Sequence, residues 1–166
     1  MDKNIIAIAD SHLGTTQGDV ETMICFLETL NPEKEELLFL GDLFHIWAGP
    51  LKYHTSQVKK LLSSLRVFQQ NGGKTHLVVG NRDVFLPRIS RNNPVSFLPF
   101  DSINGEYVIL KRQGGTLMAV HGDTVNSKDK QYLRWRRLLR STLFRGFFNL
   151  MPAWKVKKIM FNLEEK

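Results

Sequence analysis

The stretch Asn4-Ile5-Ile6-Ala7-Ile8-Ala9-Asp10-Ser11-His12 decides how the rest of this chain is read. Its first part, NIIAIA, is short and rich in β-branched residues, the pattern of a buried strand. The run stops at a carboxylate and an imidazole two residues apart, a spacing that lets both face one side where the strand ends. The same event recurs. Residues 36–40 (ELLFL) end in Gly41-Asp42, and residues 76–79 end in Gly80-Asn81-Arg82-Asp83. Residues 116–120 run straight into His121-Gly122-Asp123, with Asp129 close behind.

Between these strands lie helical patterns. Val20, Met23, Ile24, Leu27 and Leu30 repeat at three and four over residues 19–30, and Asn31-Pro32 stops them. Val58, Leu61, Leu62, Leu65 and Phe68 do the same until Gly72-Gly73. Residues 106–110 and 116–120 flank Gly114-Gly115 and read as a hairpin. Alternating strand and helix predicts an α/β layer fold, with polar clusters at the carboxyl ends of strands where such folds place ligands.

The 166 residues suffice for one domain with a substantial core, and 42% hydrophobic with 23% charged residues is ordinary for a soluble globular protein. The single cysteine, Cys25, excludes an intrachain disulfide and fits a reducing cytoplasm. Its apolar helical neighbourhood predicts a buried structural thiol. The N-terminal MDKNIIAIAD has too short an apolar run for a secretory signal, and no segment approaches the roughly 20 apolar residues of a spanning helix. The expectation is an intracellular, non-spanning protein.

The net charge of +7 is unevenly placed. Residues 1–127 carry 12 Lys/Arg against 13 Asp/Glu, whereas residues 128–166 carry 11 against 3. This asymmetry points to a polyanionic or membrane partner. From Lys128 onward the pattern is helical: Tyr132, Trp135, Leu138, Leu139 and Leu143 form an apolar stripe backed by Arg134, Arg136, Arg137 and Arg140. Residues 154–163 repeat the theme with Lys155, Lys157 and Lys158. Two parts are expected, a core over 1–127 and a basic helical segment over 128–166. Read from its residues alone, the basic segment is a solvated helix packed on the core by its stripe. Clustered arginines and Trp135 are compatible with nucleic acid, but no recognised nucleic-acid motif is present.

Carboxylate, amide and imidazole donors suit Mn²⁺ or Mg²⁺, and the thiolates of a softer site are lacking. Two such metals about 3.5–4 Å apart clamp the attacking and leaving oxygens of phosphoryl transfer. Asp42, alone at the end of its strand, is the candidate bridge between them. Asp10 and His12 would hold the first metal, Asn81 and His121 the second. Each cluster alone is commonplace as a turn or a capped loop; their joint order, each at a strand end, argues for a metal site. His45, His54 and His76 read as loop, structural or exposed residues.

The motifs D-x-H-x-G, G-D, G-N-R-D and H-G-D, in this order, resemble those of the calcineurin-like metallophosphoesterase superfamily. More narrowly, Gly41-Asp42-Leu43-Phe44 with Trp47, Arg82 in the asparagine motif, and His121-Gly122-Asp123-Thr124 followed by Asp129, Tyr132 and Arg136 are similar to the UDP-2,3-diacylglucosamine pyrophosphatases of lipid A synthesis. The resemblance implies a mixed β-sandwich flanked by helices with a helical lid, two divalent metals, and a peripheral enzyme on the inner face of the cytoplasmic membrane of a Gram-negative-type bacterium. It implies Asp42, Asn81 and Arg82 in catalysis, and Asn81, Arg82 and Asp129 on a lipid-linked sugar nucleotide. Arg82 stands where many superfamily members have a histidine acid; an arginine holds its proton but clamps phosphate oxygens at two points. The implied reaction gives 2,3-diacylglucosamine 1-phosphate and UMP. Alternatives are a general metallophosphoesterase on another phosphoester, or an impaired fragment or scaffold of the same fold.

The family closes its site with Gly-His-x-His, and no histidine follows His121 here. A truncated piece, a degenerate copy and a chain completed by a partner all account for this. Truncation is the favoured expectation, since the lid is cut mid-feature and half a sheet would leave an open pairing edge. At least one metal is then expected to bind weakly and turnover to be poor, which Mn²⁺ calorimetry tests. Ala48-Gly49-Pro50 stands where such enzymes often carry acidic residues, so the chemistry is better defined than the substrate.

Overall fold

A computed structural model describes residues 2–14, 16–45, 47, 55–83, 86, 98–152 and 154–155. Four parallel strands form the central sheet in the order β1 (Asn4–Ile8), β2 (Glu35–Phe39), β3 (Lys74–Val78) and β4 (Ser102–Asn104). Ile6 lies opposite Leu37, and Leu38 opposite His76, so the β-branched and leucine runs stack across the sheet. The strands expected at 4–9, 36–40 and 76–79 are these, each shifted by no more than two residues. β4, three residues long, carries no pattern of its own and owes its existence to pairing with β3.

Helices α1 (Asp19–Thr29) and α2 (Ser56–Gln70) cover one face. Val20 and Leu27 of α1 and Val58, Leu61, Leu62, Leu65 and Phe68 of α2 pack with Leu37, Phe39, Leu77 and Ile103. These are the residues whose spacing predicted the helices. Thr55 caps α2 by accepting from Val58 N, and the helix closes where Gly72 N and Gly73 N donate to Gln69 and Phe68 carbonyls.

The other sheet face meets the antiparallel hairpin of β5 (Tyr107–Arg112) and β6 (Gly115–Val120). Alternate β5 residues Val108 and Leu110 press on Leu38 and Val78. A buried ionic group sits in the same interlayer. Glu36, 2% exposed, accepts a hydrogen bond from Arg112 Nη2 at 2.6 Å and lies 3.0 Å from His76 Nε2. The arrangement is therefore helices, parallel sheet and hairpin, a mixed α/β structure.

Helices α3 (Lys130–Leu139) and α4 (Thr142–Leu150) follow. The single stripe expected from Tyr132 to Leu143 is broken at Arg140-Ser141, so Leu143 belongs to α4. The helix expected over 154–163 lies outside the described residues, apart from Trp154 and Lys155. Cys25 corrects a second expectation: it is exposed. It stands one position beyond Ile24, which packs on the core, and that step of about 100° turns the thiol to solvent.

Candidate metal centre

Beyond their last residues, β1 and β2 continue to exchange hydrogen bonds. Asp10 N donates to Gly41 O, His12 N to Asp42 O, and Leu13 N to Leu43 O. The two polar clusters are thus laid side by side. Within this prolonged ladder Asp10, His12 and Asp42 take left-handed conformations, with φ of 50°, 45° and 50°. The turn this makes brings side chains of neighbouring strand ends toward one point. One ligand atom from each of Asp10, Asp42 and His121 lies within 4.8 Å of the other two.

His121 reaches this point from β6, and its ring is oriented by Leu40. His121 Nδ1 donates to Leu40 O at 2.7 Å, which turns Nε2 toward Asp42, 3.9 Å from its Oδ2. A backbone carbonyl holding one imidazole nitrogen is the usual way a histidine presents the other as a ligand. Gly41 makes room for the ring: it has φ 95°, and a Cβ there would strike His121.

Asp42 is 2% exposed, and both of its ends are tied. Its Oδ1 accepts Arg82 N at 2.9 Å, while its own N donates to Asp83 Oδ2 at 2.7 Å. The same Asp83 oxygen accepts Gly80 N at 3.2 Å. Asp83 is fully buried and binds the Gly41-Asp42 loop to the Gly80-Asn81 loop. Burial, with the charge of Asp42 adding to it, pushes Asp83 up to about 7 against the pull of those two N–H donors. Gly80 presses so closely on Asp42 that a Cβ would fall on its Oδ1 and backbone nitrogen.

Of the expected ligands, Asp10, Asp42 and His121 are brought together. His12 lies two residues from Asp10 with its ring centroid 6.3 Å from that of His45, edge-on. Asn81 is exposed at the tip of its loop, and Arg82 is half-buried beside it. Asp129 caps α3, accepting Tyr132 N at 2.9 Å. His54 and residues 48–50 lie outside the described residues. Two positions were not singled out from sequence as supports. Asp83 resembles a solvated loop acid until its burial is known, and Asp123 anchors α3. Asp123 accepts Tyr132 Oη and Arg136 Nε, each at 2.7 Å.

That anchor runs against the reading of α3 as packed on the core by its apolar stripe. Arg136 is its buried residue, while Trp135 and Leu138 are more than half exposed. Arg136 is drawn inward because Asp123, immediately after the His121-Gly122 turn, offers a nearly buried carboxylate for a charge-assisted bond. Burial and the Arg136 charge lower the pKa of neighbouring Arg140, whose guanidinium also turns inward.

Two carboxylates and an imidazole whose Nε2 faces them fit a hard or borderline divalent cation. Among curated proteins, the chain is 29% identical to a UDP-2,3-diacylglucosamine hydrolase of Serratia proteamaculans over 93% of this chain and 62% of that protein. The hydrolase of Haemophilus influenzae strain PittGG is also 29% identical, over 99% and 65%. That of Pseudomonas aeruginosa strain UCBPP-PA14 is 30% identical over 84% and 56%.

The chain is similar in sequence to UDP-2,3-diacylglucosamine hydrolases.

It spans less than two thirds of the length of these hydrolases. No family model matches the chain. Among solved structures, a protein of unknown function from Aquifex aeolicus aligns with a TM-score of 0.48 and 18% identity, over 87% of this chain and 74% of that one, a likeness too slight to bear on the fold. Among the described residues no helix is long and apolar enough to cross a membrane.

Proposed function

We propose that this chain carries the core of a dinuclear, Mn²⁺-dependent hydrolase that cleaves the pyrophosphate bond of UDP-2,3-diacylglucosamine to UMP and 2,3-diacylglucosamine 1-phosphate. The observation that carries the reading is the meeting of Asp10, Asp42 and His121 at three strand ends, with His121 Nε2 turned toward Asp42. The relatives named for this substrate support the choice of pyrophosphate over other phosphoesters. The proposed fold is the calcineurin-like sandwich, with residues 1–127 as core and 128–166 as lid.

Metal ions held here would make water nucleophilic at neutral pH and neutralise charge on the phosphates. The chain supplies the rest. Asp10 and His12 would hold one ion and Asn81 and His121 the other, with Asp42 between them. Arg82, its main chain pinned to Asp42 Oδ1, would clamp phosphate oxygens as charge develops. The water oxygen would bond to phosphorus while the bridging P–O bond breaks, its electron pair staying on the oxygen of the departing phosphate. The two water protons would pass to the product phosphates or, as these ionise, to solvent. Asp129 would contact substrate from the head of α3. The exposed Trp135, Leu138, Leu143 and Phe147, with Lys130, Arg134 and Arg137, would face acyl chains and an anionic membrane on its cytoplasmic side.

The test is release of UMP from UDP-2,3-diacylglucosamine with added Mn²⁺. Release that EDTA abolishes, and that Asp42→Asn reduces to the metal-free background, is the expected result. Cleavage of bis(p-nitrophenyl) phosphate without UMP release would move the reading to another phosphoester. Neither reaction, with no Mn²⁺ bound, would defeat it.

A further inference from the structure

Gly80 has to be glycine because Asp42 occupies the place of its Cβ. A glycine, however, leaves its own backbone torsions loosely restrained. The next residue, Asn81, can hold a ligand position only if something outside Gly80 fixes the intervening peptide. The Gly80 N–H is held by Asp83. Its carbonyl is held from a different element.

Arg140, at the C-terminal end of α3, sends its guanidinium into the body of the protein. Nη1 donates to Gly105 O at 2.6 Å, and Nη2 donates to Val79 O at 3.2 Å and Gly80 O at 3.3 Å. All three acceptors are main-chain carbonyls, and Arg140 has no salt bridge to a carboxylate among the described residues. A cation desolvated in this way is poorly placed for stability alone, and a solvated arginine would end the helix as well. Its geometry has one distinctive effect: the two peptides leading into Asn81 are fixed from α3. The same helix is fixed to Asp123, two residues after His121, through Tyr132 in its first turn and Arg136 in its last. Helix α3 thereby spans both the Asn81 and the His121 loops.

We propose that Arg140 is a positioning residue that sets the Gly80–Asn81 peptide, so that docking of α3 tunes how tightly the centre holds its metal. This rests on the reading of Asn81 as a ligand. Its structural half stands apart from metal and is tested apart from it.

The experiment compares the parent chain with Arg140→Met, which keeps an apolar stem, and Arg140→Lys. Hydrogen exchange of the metal-free proteins reads the loop, and Mn²⁺ titration reads the centre. Arg140→Met is expected to speed exchange across residues 79–83 about tenfold or more, leave α2 unchanged, and weaken Mn²⁺ about 10-fold or more, as loss of an outer support does. Arg140→Lys, which reaches fewer carbonyls, should fall between. Unchanged exchange in Arg140→Met overturns the proposal. If that variant fails to fold, Arg140→Lys decides, and behaviour identical to the parent overturns it. A parent that binds no Mn²⁺ defeats the metal reading, and exchange alone then judges the role of Arg140.

Discussion

Asp42 combines three costs at one position: burial, a left-handed backbone, and a second carboxylate, Asp83, bonded to its own amide. Asp10 and His12 share the left-handed conformation, which costs about 1 kcal/mol or more for a residue with a Cβ. Three such residues in two adjoining loops mark where the chain gives up stability to direct side chains. Measured by calorimetry, Asp42→Asn should therefore lower Mn²⁺ affinity by more than the roughly 10–100-fold that loss of an outer support costs. The urea midpoint of the metal-free protein should stay level or rise, because the repulsion from Asp83 is removed. A lowered midpoint would mean that Asp42 serves folding rather than binding. Gly80→Ala should cost about 1–3 kcal/mol in the same denaturation, through collision with Asp42. Asp10, Asp42 and His121 were legible from sequence because each ends an apolar run. Asp83 and Arg140 were not, since nothing in their neighbours says that they are turned inward.

At the scale of elements, the hairpin is joined to the sheet by a small apolar contact and by Glu36. Burial alone would raise the pKa of Glu36, but hydrogen bonds and charge from His76 and Arg112 outweigh it and leave the carboxyl below its usual range. A lowered folded-state value means that this stabilisation is complete above the pH where a free glutamate ionises. It is lost as pH falls through the folded-state value. Urea midpoints measured from pH 7 into the acid range should fall for the parent and change less for Glu36→Gln. At pH 7 that substitution should cost about 1–3 kcal/mol, by leaving half-buried Arg112 and His76 facing an amide in place of the carboxylate. A midpoint unmoved at neutral pH would show that the apolar contact alone holds the hairpin. Helices α1 and α2 were readable because their apolar residues keep a 3.6-residue period. The inner face of α3 was not, because its period marks Trp135 and Leu138 while Asp123, from another segment, draws in Arg136.

Across the whole molecule, the excess of positive charge lies in residues 128–166, and the described part of it stands beside exposed apolar side chains. Lys155 Nζ lies 5.4 Å over the Trp154 ring, and Leu143 and Leu150 are each 86% exposed. The chain should bind vesicles containing anionic phosphatidylglycerol, measured by co-sedimentation, and be released by about 0.5 M salt as surface charge is screened. Equal binding to neutral vesicles would make the basic residues irrelevant to it. Strand β6 pairs only with β5, and its other edge has no partner strand among the described residues. Sequence by itself determined the alternation of strands and helices and the order in which acids, amide and imidazoles arrive, because both are written in local period and in the residues that end each run. Only the tertiary structure decided which of those groups meet, which nitrogen of His121 faces Asp42, and which arginines turn inward. Those outcomes depend on partners far apart in the chain, and burial and hydrogen bonding between distant segments leave no local signature.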